Sequence, residues 1–269
     1  MKRTERVVSR DGTVIAYERA GQGPPVVLVV GALCSRTLGP GVTLSPALAG
    51  EFTVFTYDRR GRGESDEKKP YDVAREIDDL AALLGVAGGD AYIFGHSSGA
   101  VLALQAAARG LPIAKLALYE PPFIVDGGRP TTEKDWAQID ELMTAGRRAD
   151  AVKVFLKSVQ VPALVVAVMR WLPVWSQITA VAHTLPHDGT LVREFQRGEP
   201  LPRDACSGMR VPTLALYGGK SPRWMQDGTR ALAAVLPCAE SRVVEGQTHD
   251  VKAAALAPVL REFFTAPAH

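Results

Sequence analysis

The sequence predicts an α/β protein with a mostly parallel eight-stranded sheet, helices on both faces and a helical cap inserted after the sixth strand. Short β-branched runs alternate with helical patterns along most of the chain, which is typical of parallel sheets. One long stretch holds helical patterns but no convincing strand. The length of 269 residues suits one large unit with an inserted subdomain better than two full-sized domains.

Eight runs rich in β-branched and aromatic residues are the expected strands. They lie at residues 7–9, 13–19, 25–30, 52–58, 91–95, 115–120, 212–218 and 241–245. After the first pair, helical patterns follow at 73–84, 100–109, 225–236 and 251–264. The alternation predicts crossover helices on both faces of the sheet.

The strand-free stretch, residues 122–204, is the expected cap, and residues 1–121 and 205–269 form the expected core domain. Ligands of α/β sheets bind at the carboxyl ends of the strands. An insertion after the sixth strand begins at that edge, so we expect it to cover the site. We also expect Trp136, Trp171 and Trp175 to pack within the cap.

Composition favours a small-molecule partner. Apolar residues make up 46% of the chain, charged residues make up 22% and the net charge is +2, which argues against disorder and against a nucleic-acid footprint. The first residues lack the apolar segment of a secretory signal, so a cytoplasmic location is expected. Pro162, Arg170 and Pro173 interrupt the apolar run at 159–175, so no membrane span is expected.

Metal and disulfide chemistry are not expected. The three cysteines are widely spaced, lack a CxxC pair and are interpreted as free thiols: Cys34, Cys206 and Cys238. His183 and His187 are four residues apart, but Pro186 interrupts a helix that would align them. We predict no metal and no organic cofactor.

The stretch "AYIFGHSSGAVLALQAA", residues 91–107, combines an expected strand, a tight turn and an expected helix. Ser97 has Gly95 and Gly99 two positions away on either side, the spacing of a nucleophile elbow. Small residues there let the strand and the helix approach closely. The pattern predicts that Ser97 is a nucleophile held in a strained turn.

With the elbow, two further segments resemble the α/β-hydrolase superfamily. "YDRRGRGESD" (57–66) is similar to that family's loop after the fourth strand, and "VVGALCS" (29–35) takes the place of its oxyanion loop, with Val30 where a histidine is usual. The resemblance implies an oxyanion hole made by the backbone N–H groups of Ala32 and Ser98. Backbone donors tolerate the change at residue 30.

The family places its catalytic histidine after the last strand, where this chain has His249 in "VEGQTHDV". His249 would take the proton from Ser97 and return it to the leaving group. His96 lies inside the elbow, where strand-turn geometry is expected to point it away from the reactive side. His269 is terminal.

The position of the acid departs from the family's common pattern. Ser221 stands where an aspartate usually follows the seventh strand. Some relatives use a carboxylate at the end of the sixth strand, and this chain offers Glu120 there. Asp126 and Asp227 remain open as alternatives.

The resemblance implies a serine hydrolase that cleaves an ester, thioester or lactone of a fairly apolar small molecule, as a monomer or a homodimer. Expected substrate-contacting residues are Leu33, Cys34, Phe123 and Trp136. Two alternatives stay open: cofactor-free haloperoxidase-like or C–C bond hydrolysis on the same triad, and a small-molecule receptor on a hydrolase scaffold.

Overall fold

A computed structural model describes residues 3–127, 132–202 and 208–267. Cys206, His269 and the predicted domain boundary between residues 204 and 205 lie outside these ranges. The extents of the predicted core and cap domains therefore stay a prediction.

The predicted eight-stranded sheet is confirmed. Its strands are β1 (Glu5–Val8), β2 (Val14–Ala20), β3 (Pro25–Val29), β4 (Thr53–Tyr57), β5 (Ala91–His96), β6 (Ile113–Tyr119), β7 (Thr213–Gly218) and β8 (Ala239–Val244). They are ordered β1-β2-β4-β3-β5-β6-β7-β8. The β1–β2 and β2–β4 pairings are antiparallel and all the others are parallel.

Helices cover both faces because the strands bury alternate residues on opposite sides. On β3, Val26 and Leu28 face one core, whereas Val27 and Val29 face the other. The first core is closed by α1 (Gly41–Leu48) and α10 (Ala253–Thr265). The second core is closed by α2 (Val73–Ala87), α3 (Ser98–Ala108) and α9 (Arg223–Val235).

Helix α1 was not predicted. Its sequence, "GVTLSPAL", holds a glycine, an internal proline and β-branched residues, all poor helix formers. Leu44 and Leu48 are nevertheless buried against α10 and the sheet, and this tertiary burial outweighs the weak local preference.

Five helices and two short 3₁₀ turns lie in the described part of the chain between β6 and β7. They are α4 (Glu133–Thr144), α5 (Arg148–Ser158), α6 (Ala163–Met169), α7 (Pro173–Val181), the turn Ala182–Thr184, α8 (Leu185–Val192) and the turn Arg193–Gln196. Helix α8 packs against α2 and α3 of the core. The helical content predicted for this segment is confirmed.

One of the three tryptophans expected to pack within the predicted cap differs from the expectation. Trp136 on α4 is buried and Trp175 packs partly buried against the core cluster, but Trp171 is 90% exposed. Trp171 sits in the short link between α6 and α7, and no residue of α6 is buried. The ring of Trp171 is therefore exposed rather than packed as expected.

In the described ranges, no helix taken alone has the length and apolar character to cross a bilayer. Ala163–Met169 and Pro173–Gln196 pass the same test only as a pair, and a 98° bend separates them.

Candidate active site

Ser97 occupies the turn between β5 and α3 with φ 56° and ψ −127°, a conformation rare for a residue with a side chain. The flanking glycines make this turn possible. A Cβ on Gly95 would lie 2.6 Å from the Cα atom of Ala100, and one on Gly99 would lie 2.3 Å from the carbonyl oxygen of Val29. The backbone therefore has the strained geometry expected of a nucleophile elbow.

Backbone strain concentrates around this serine. Four non-glycine residues in the described part of the chain have positive φ, and three of them are Leu33, Ser97 and Glu120. Leu33 lies in the loop after β3, and Glu120 directly follows β6. Strained residues of this kind cluster at functional sites.

Glu120 and His249 form a hydrogen-bonded pair. The Nδ1 atom of His249 lies 2.7 Å from Oε2 of Glu120, which is fully buried. The other oxygen, Oε1, accepts the backbone N–H of Gly218 at 2.7 Å. Since the carboxylate is an acceptor, Nδ1 of His249 carries the proton and Nε2 is left as the basic nitrogen.

The rival carboxylates lie elsewhere. Asp227 is paired with Arg223 and Arg230 on α9. Asp126 is exposed in the segment after β6. Ser221 is buried, and its hydroxyl has no hydrogen-bond partner within the described ranges. Of the three predicted candidates for the acid, Glu120 is the one that contacts His249.

The expected orientation of His96 is wrong. Its ring packs against that of His249, with 4.7 Å between the centroids, and its Nε2 atom lies 3.0 Å from the backbone oxygen of His249. Burial, helped by the neighbouring His249, lowers the pKa of His96 to about 3. His96 is therefore neutral at ordinary pH and donates from Nε2, which holds the backbone of His249 in place.

Ser97 and His249 line the same pocket, although no hydrogen bond joins their side chains in the described ranges. Such bonds are often long or poorly aligned without substrate and tighten when it binds. Gly31 also borders the serine, because a Cβ on Gly31 would lie 2.8 Å from the Cβ of Ser97. The next residue, Ala32, lines the pocket as well.

A buried ionic cluster lies behind the Gly31–Cys34 loop. Arg62 donates to the carbonyl oxygen of Gly31 at 2.6 Å and to that of Cys34 at 3.2 Å. Asp188 on α8 accepts from Arg62 at 2.7 Å, from Arg59 at 2.8 Å and from the Ser98 hydroxyl at 2.7 Å.

The cluster is closed by a fourth charged group. Arg59 forms a bidentate pair with Glu76 on α2, at 2.7 and 3.0 Å. Burial alone would raise the pKa values of Asp188 and Glu76, but the facing arginines hold both below their ordinary values. The likeness of residues 57–66 to the family's loop after the fourth strand indicated the segment that carries Arg59 and Arg62, but nothing in the sequence predicted this cluster.

Two pockets meet at Ser97. The larger has a volume of about 310 Å³ and is lined mainly by apolar side chains together with His249. The smaller has a volume of about 30 Å³. Ala32, Ser97, Phe155 and Val159 border both pockets.

The predicted substrate-contacting residues divide between these pockets. Leu33 and Cys34 line the larger pocket, and Trp136 lines the smaller one. Phe123 lines neither, because its ring is fully buried and packs 4.8 Å from that of Phe195. Pro122, which was not predicted, lines the smaller pocket instead.

Metal-ligand clusters are absent from the described residues, where no three His, Cys, Asp or Glu side chains could hold an ion together. His183 lies in the turn before α8, and Pro186 lies in the first turn of that helix. His187 faces Glu67, with 3.1 Å between Nε2 and Oε1, and stacks on Tyr71.

Comparison with known proteins places this geometry in a family. Residues 26–259 match the model of the alpha/beta hydrolase family. A crystal structure of an alpha/beta hydrolase from Sphaerobacter thermophilus is 48% identical with a TM-score of 0.90, over 97% of this chain and 100% of that one. The enol-lactonase from Burkholderia xenovorans, at 21% identity, shares the fold with a TM-score of 0.73 over 97% of this chain and 100% of its own.

A curated relative, the N-formylmaleamate deformylase of Pseudomonas putida, is 32% identical over 161 residues. The match covers 55% of this chain and 57% of the relative, so it spans little more than half of that protein. The match over residues 26–259 and the full-length likeness to the Sphaerobacter protein together identify the chain as a member of the alpha/beta hydrolase family.

Proposed function

We propose that this chain is a serine hydrolase that cleaves a carboxylic ester, thioester or lactone through an acyl-enzyme. The observation that carries the proposal is the hydrogen bond between Glu120 and His249, whose ring lines the same pocket as the strained Ser97. A nucleophile, a base and a group that orients the base are the parts needed for nucleophilic acyl transfer.

In the first step, the Ser97 Oγ atom attacks the carbonyl carbon while Nε2 of His249 takes the hydroxyl proton. Glu120 stabilises the resulting imidazolium through its bond to Nδ1. The tetrahedral intermediate expels the alcohol or thiol, which takes the proton from Nε2. Water then attacks the acyl-enzyme with the same base, and the acid is released as Ser97 regains its proton.

The oxyanion of the intermediate needs donors beside Ser97. The backbone N–H groups of Ala32 and Ser98 are the candidates, since both residues border the smaller pocket together with Ser97. Neither N–H donates a hydrogen bond to another protein group within the described residues. Free, preorganised donors of this kind are worth about 10²–10³ in kcat each.

The two pockets indicate which side of the substrate is large. The leaving group must take its proton from His249, and His249 lines the larger, apolar pocket but not the smaller one. The leaving group therefore occupies the larger pocket, and the acyl substituent points into the smaller. A volume of about 10–15 Å³ holds one water molecule. The smaller pocket, at about 30 Å³, therefore admits an acyl substituent of one or two heavy atoms.

The proposed substrate is thus a short-chain acyl ester of a larger apolar alcohol or thiol. The name of the Pseudomonas relative also refers to a one-carbon acyl group, which is consistent with this assignment. A lactone fits less well, because its acyl and alkoxy halves are tied in one ring.

Labelling and turnover test the chemistry. A fluorophosphonate probe should label the wild-type chain but not Ser97→Ala, and the same substitution should lower kcat for p-nitrophenyl acetate by several orders of magnitude. Unchanged labelling of Ser97→Ala would mean that the nucleophile lies elsewhere. A wild-type chain that neither labels nor turns over any ester would favour a receptor on this fold.

A pair of isomeric esters tests the assignment of the two pockets. Hexyl acetate and methyl heptanoate have the same composition, and we expect kcat/KM to be at least tenfold higher for the acetate. Val192→Ala enlarges only the smaller pocket and should raise the relative rate on butyrates, whereas Val161→Ala in the larger pocket should not. An equal or reversed preference for methyl heptanoate would contradict the assignment.

A further inference from the structure

The Asp188 carboxylate borders the smaller pocket together with Ala32 and Ser98, the residues that carry the two candidate oxyanion donors. It belongs to α8, in the segment between β6 and β7, and it is 1% exposed. Its Oδ1 atom accepts from Ser98 and Arg59, and its Oδ2 atom accepts from Arg62. This one carboxylate thus contacts Ser98 directly and reaches the Gly31–Cys34 loop through Arg62.

Arg62 connects Asp188 to the first donor. Its Nη1 atom donates to the carbonyl oxygen of Gly31 at 2.6 Å. That carbonyl and the N–H of Ala32 belong to one planar trans peptide, so they point in opposite directions. Holding the carbonyl on Arg62 therefore directs the N–H of Ala32 away from that guanidinium, and Ala32 borders the smaller pocket together with Ser97.

Ser98 connects Asp188 to the second donor. Its hydroxyl donates to Oδ1 of Asp188 at 2.7 Å, which fixes the first residue of α3 and the direction of its backbone N–H. The hydrogen bonds to Asp188 are charge-assisted and buried, so they resist both reorientation and screening by salt.

We propose that Asp188 is a positioning residue that aligns the two backbone donors of the oxyanion hole through Arg62 and Ser98. The inference rests on the proposed serine-hydrolase function. It adds a residue of the cap to the machinery of the core, so that the donors are aligned only when α8 is seated on α3.

Asp188→Asn tests this role, because the amide keeps the shape of the side chain but loses its charge and one acceptor. Misaligned donors stabilise the transition state less while leaving ground-state binding intact, so kcat should fall about 10²-fold with KM within about threefold of wild type. The assay is turnover of p-nitrophenyl acetate, at a temperature well below the unfolding midpoint of each variant.

The chain offers a matched control in Asp79→Asn. Asp79 forms an equally buried bidentate pair with Arg60, at 2.7 Å to each oxygen, and Arg60 contacts neither Ser98 nor the Gly31–Cys34 loop. Both variants lose one carboxylate from a buried ion pair, so both should unfold at lower temperature. Only Asp188→Asn should lower kcat in the folded protein.

Equal kcat values for the two folded variants would overturn the proposal. If Asp188→Asn does not fold, Ser98→Ala decides, because it removes one contact with Asp188 and keeps the backbone N–H. We expect kcat to fall about tenfold there, and an unchanged kcat would overturn the inference. Failure of the proposed function gives a different result, since the wild-type chain would then hydrolyse no ester.

Discussion

Replacing Glu120 with glutamine tests the assignment of the acid most directly, because the structure determines how the amide must sit. If the amide oxygen replaces Oε1, it keeps the bond from the N–H of Gly218, now 2.7 Å long, and the NH₂ group faces Nδ1 of His249. The reverse orientation places NH₂ against a buried N–H, which costs about 1–3 kcal/mol. The first orientation is therefore preferred.

With NH₂ facing Nδ1, that nitrogen must accept the hydrogen bond, and the proton of His249 moves to Nε2. Nε2, the nitrogen proposed to take the proton of Ser97, can then no longer act as a base. Amide replacement of a triad acid lowers kcat by about 10⁴, or about 5.4 kcal/mol in activation free energy at about 1.36 kcal/mol per factor of ten. We expect that loss for Glu120→Gln.

The assay is kcat for p-nitrophenyl acetate, with thermal unfolding measured in parallel to confirm that the variant is folded. Asp126→Asn and Asp227→Asn are the controls and should stay within about twofold of wild type. If Glu120→Gln keeps more than a tenth of the wild-type kcat, the acid has been misassigned. A large loss in either control would identify the acid that was missed.

Three further predictions concern the elbow, a thiol and pH. Gly99→Ala should lower both the unfolding midpoint and the turnover, because the added Cβ would lie 2.3 Å from the carbonyl oxygen of Val29. Gly85→Ala, in α2, is the control: its Cβ would have no heavy atom within 4 Å, and the substitution should stabilise the folded protein by about 0.5–1 kcal/mol. Iodoacetamide at pH 7.5 should modify exposed Cys238 before Cys34, because burial raises the pKa of the Cys34 thiol to about 11. Mass spectrometry of samples quenched at successive times gives the order of modification, and faster modification of Cys34 would refute the prediction. Burial lowers the pKa of His187 to about 4 from an ordinary value of 6.5, so the unfolded chain binds more protons between these pH values and stability falls as pH drops through that window. When unfolding midpoints are measured from pH 7 to 4, His187→Gln should reduce this fall in stability. It should not abolish the fall, because the pKa of His96 is also lowered in the folded protein. A pH dependence identical to that of wild type would contradict the assignment of this effect to His187.

Local patterns predicted the strands and the elbow at Ser97. The resemblance to the α/β-hydrolase superfamily then indicated His249 as the base and Glu120 as one of three candidates for the acid. The strand end that carries Glu120 could be located because parallel strands bring their carboxyl ends to one edge of the sheet. The directions of the side chains that follow this strand end could not be predicted. Glu120 adopts φ 46° and two prolines follow it, so the choice between Pro122 and Phe123 as the pocket residue depends on backbone angles that composition does not encode.

The role proposed for Asp188 could not be predicted from the sequence for a different reason. Asp188 lies 90 residues from Ser98 and 126 residues from Arg62, inside a helix whose other residues give no catalytic pattern. Only the packing of α8 on α3 brings these side chains together. One signal was available: Arg59, Arg60 and Arg62 lie in one short loop, and any of them that is buried needs a carboxylate partner.

The buried arginines also determine how far this protein can be reduced in size. Deleting the segment between β6 and β7 would remove Asp188 and Thr184, both partners of Arg62, and would leave that guanidinium facing only carbonyl oxygens. Losing one partner of a buried ion pair typically costs about 3–5 kcal/mol, a large part of the stability of an ordinary domain. A minimal version without this segment, or one with a foreign segment grafted in, will need either a replacement carboxylate or neutral residues at positions 59 and 62.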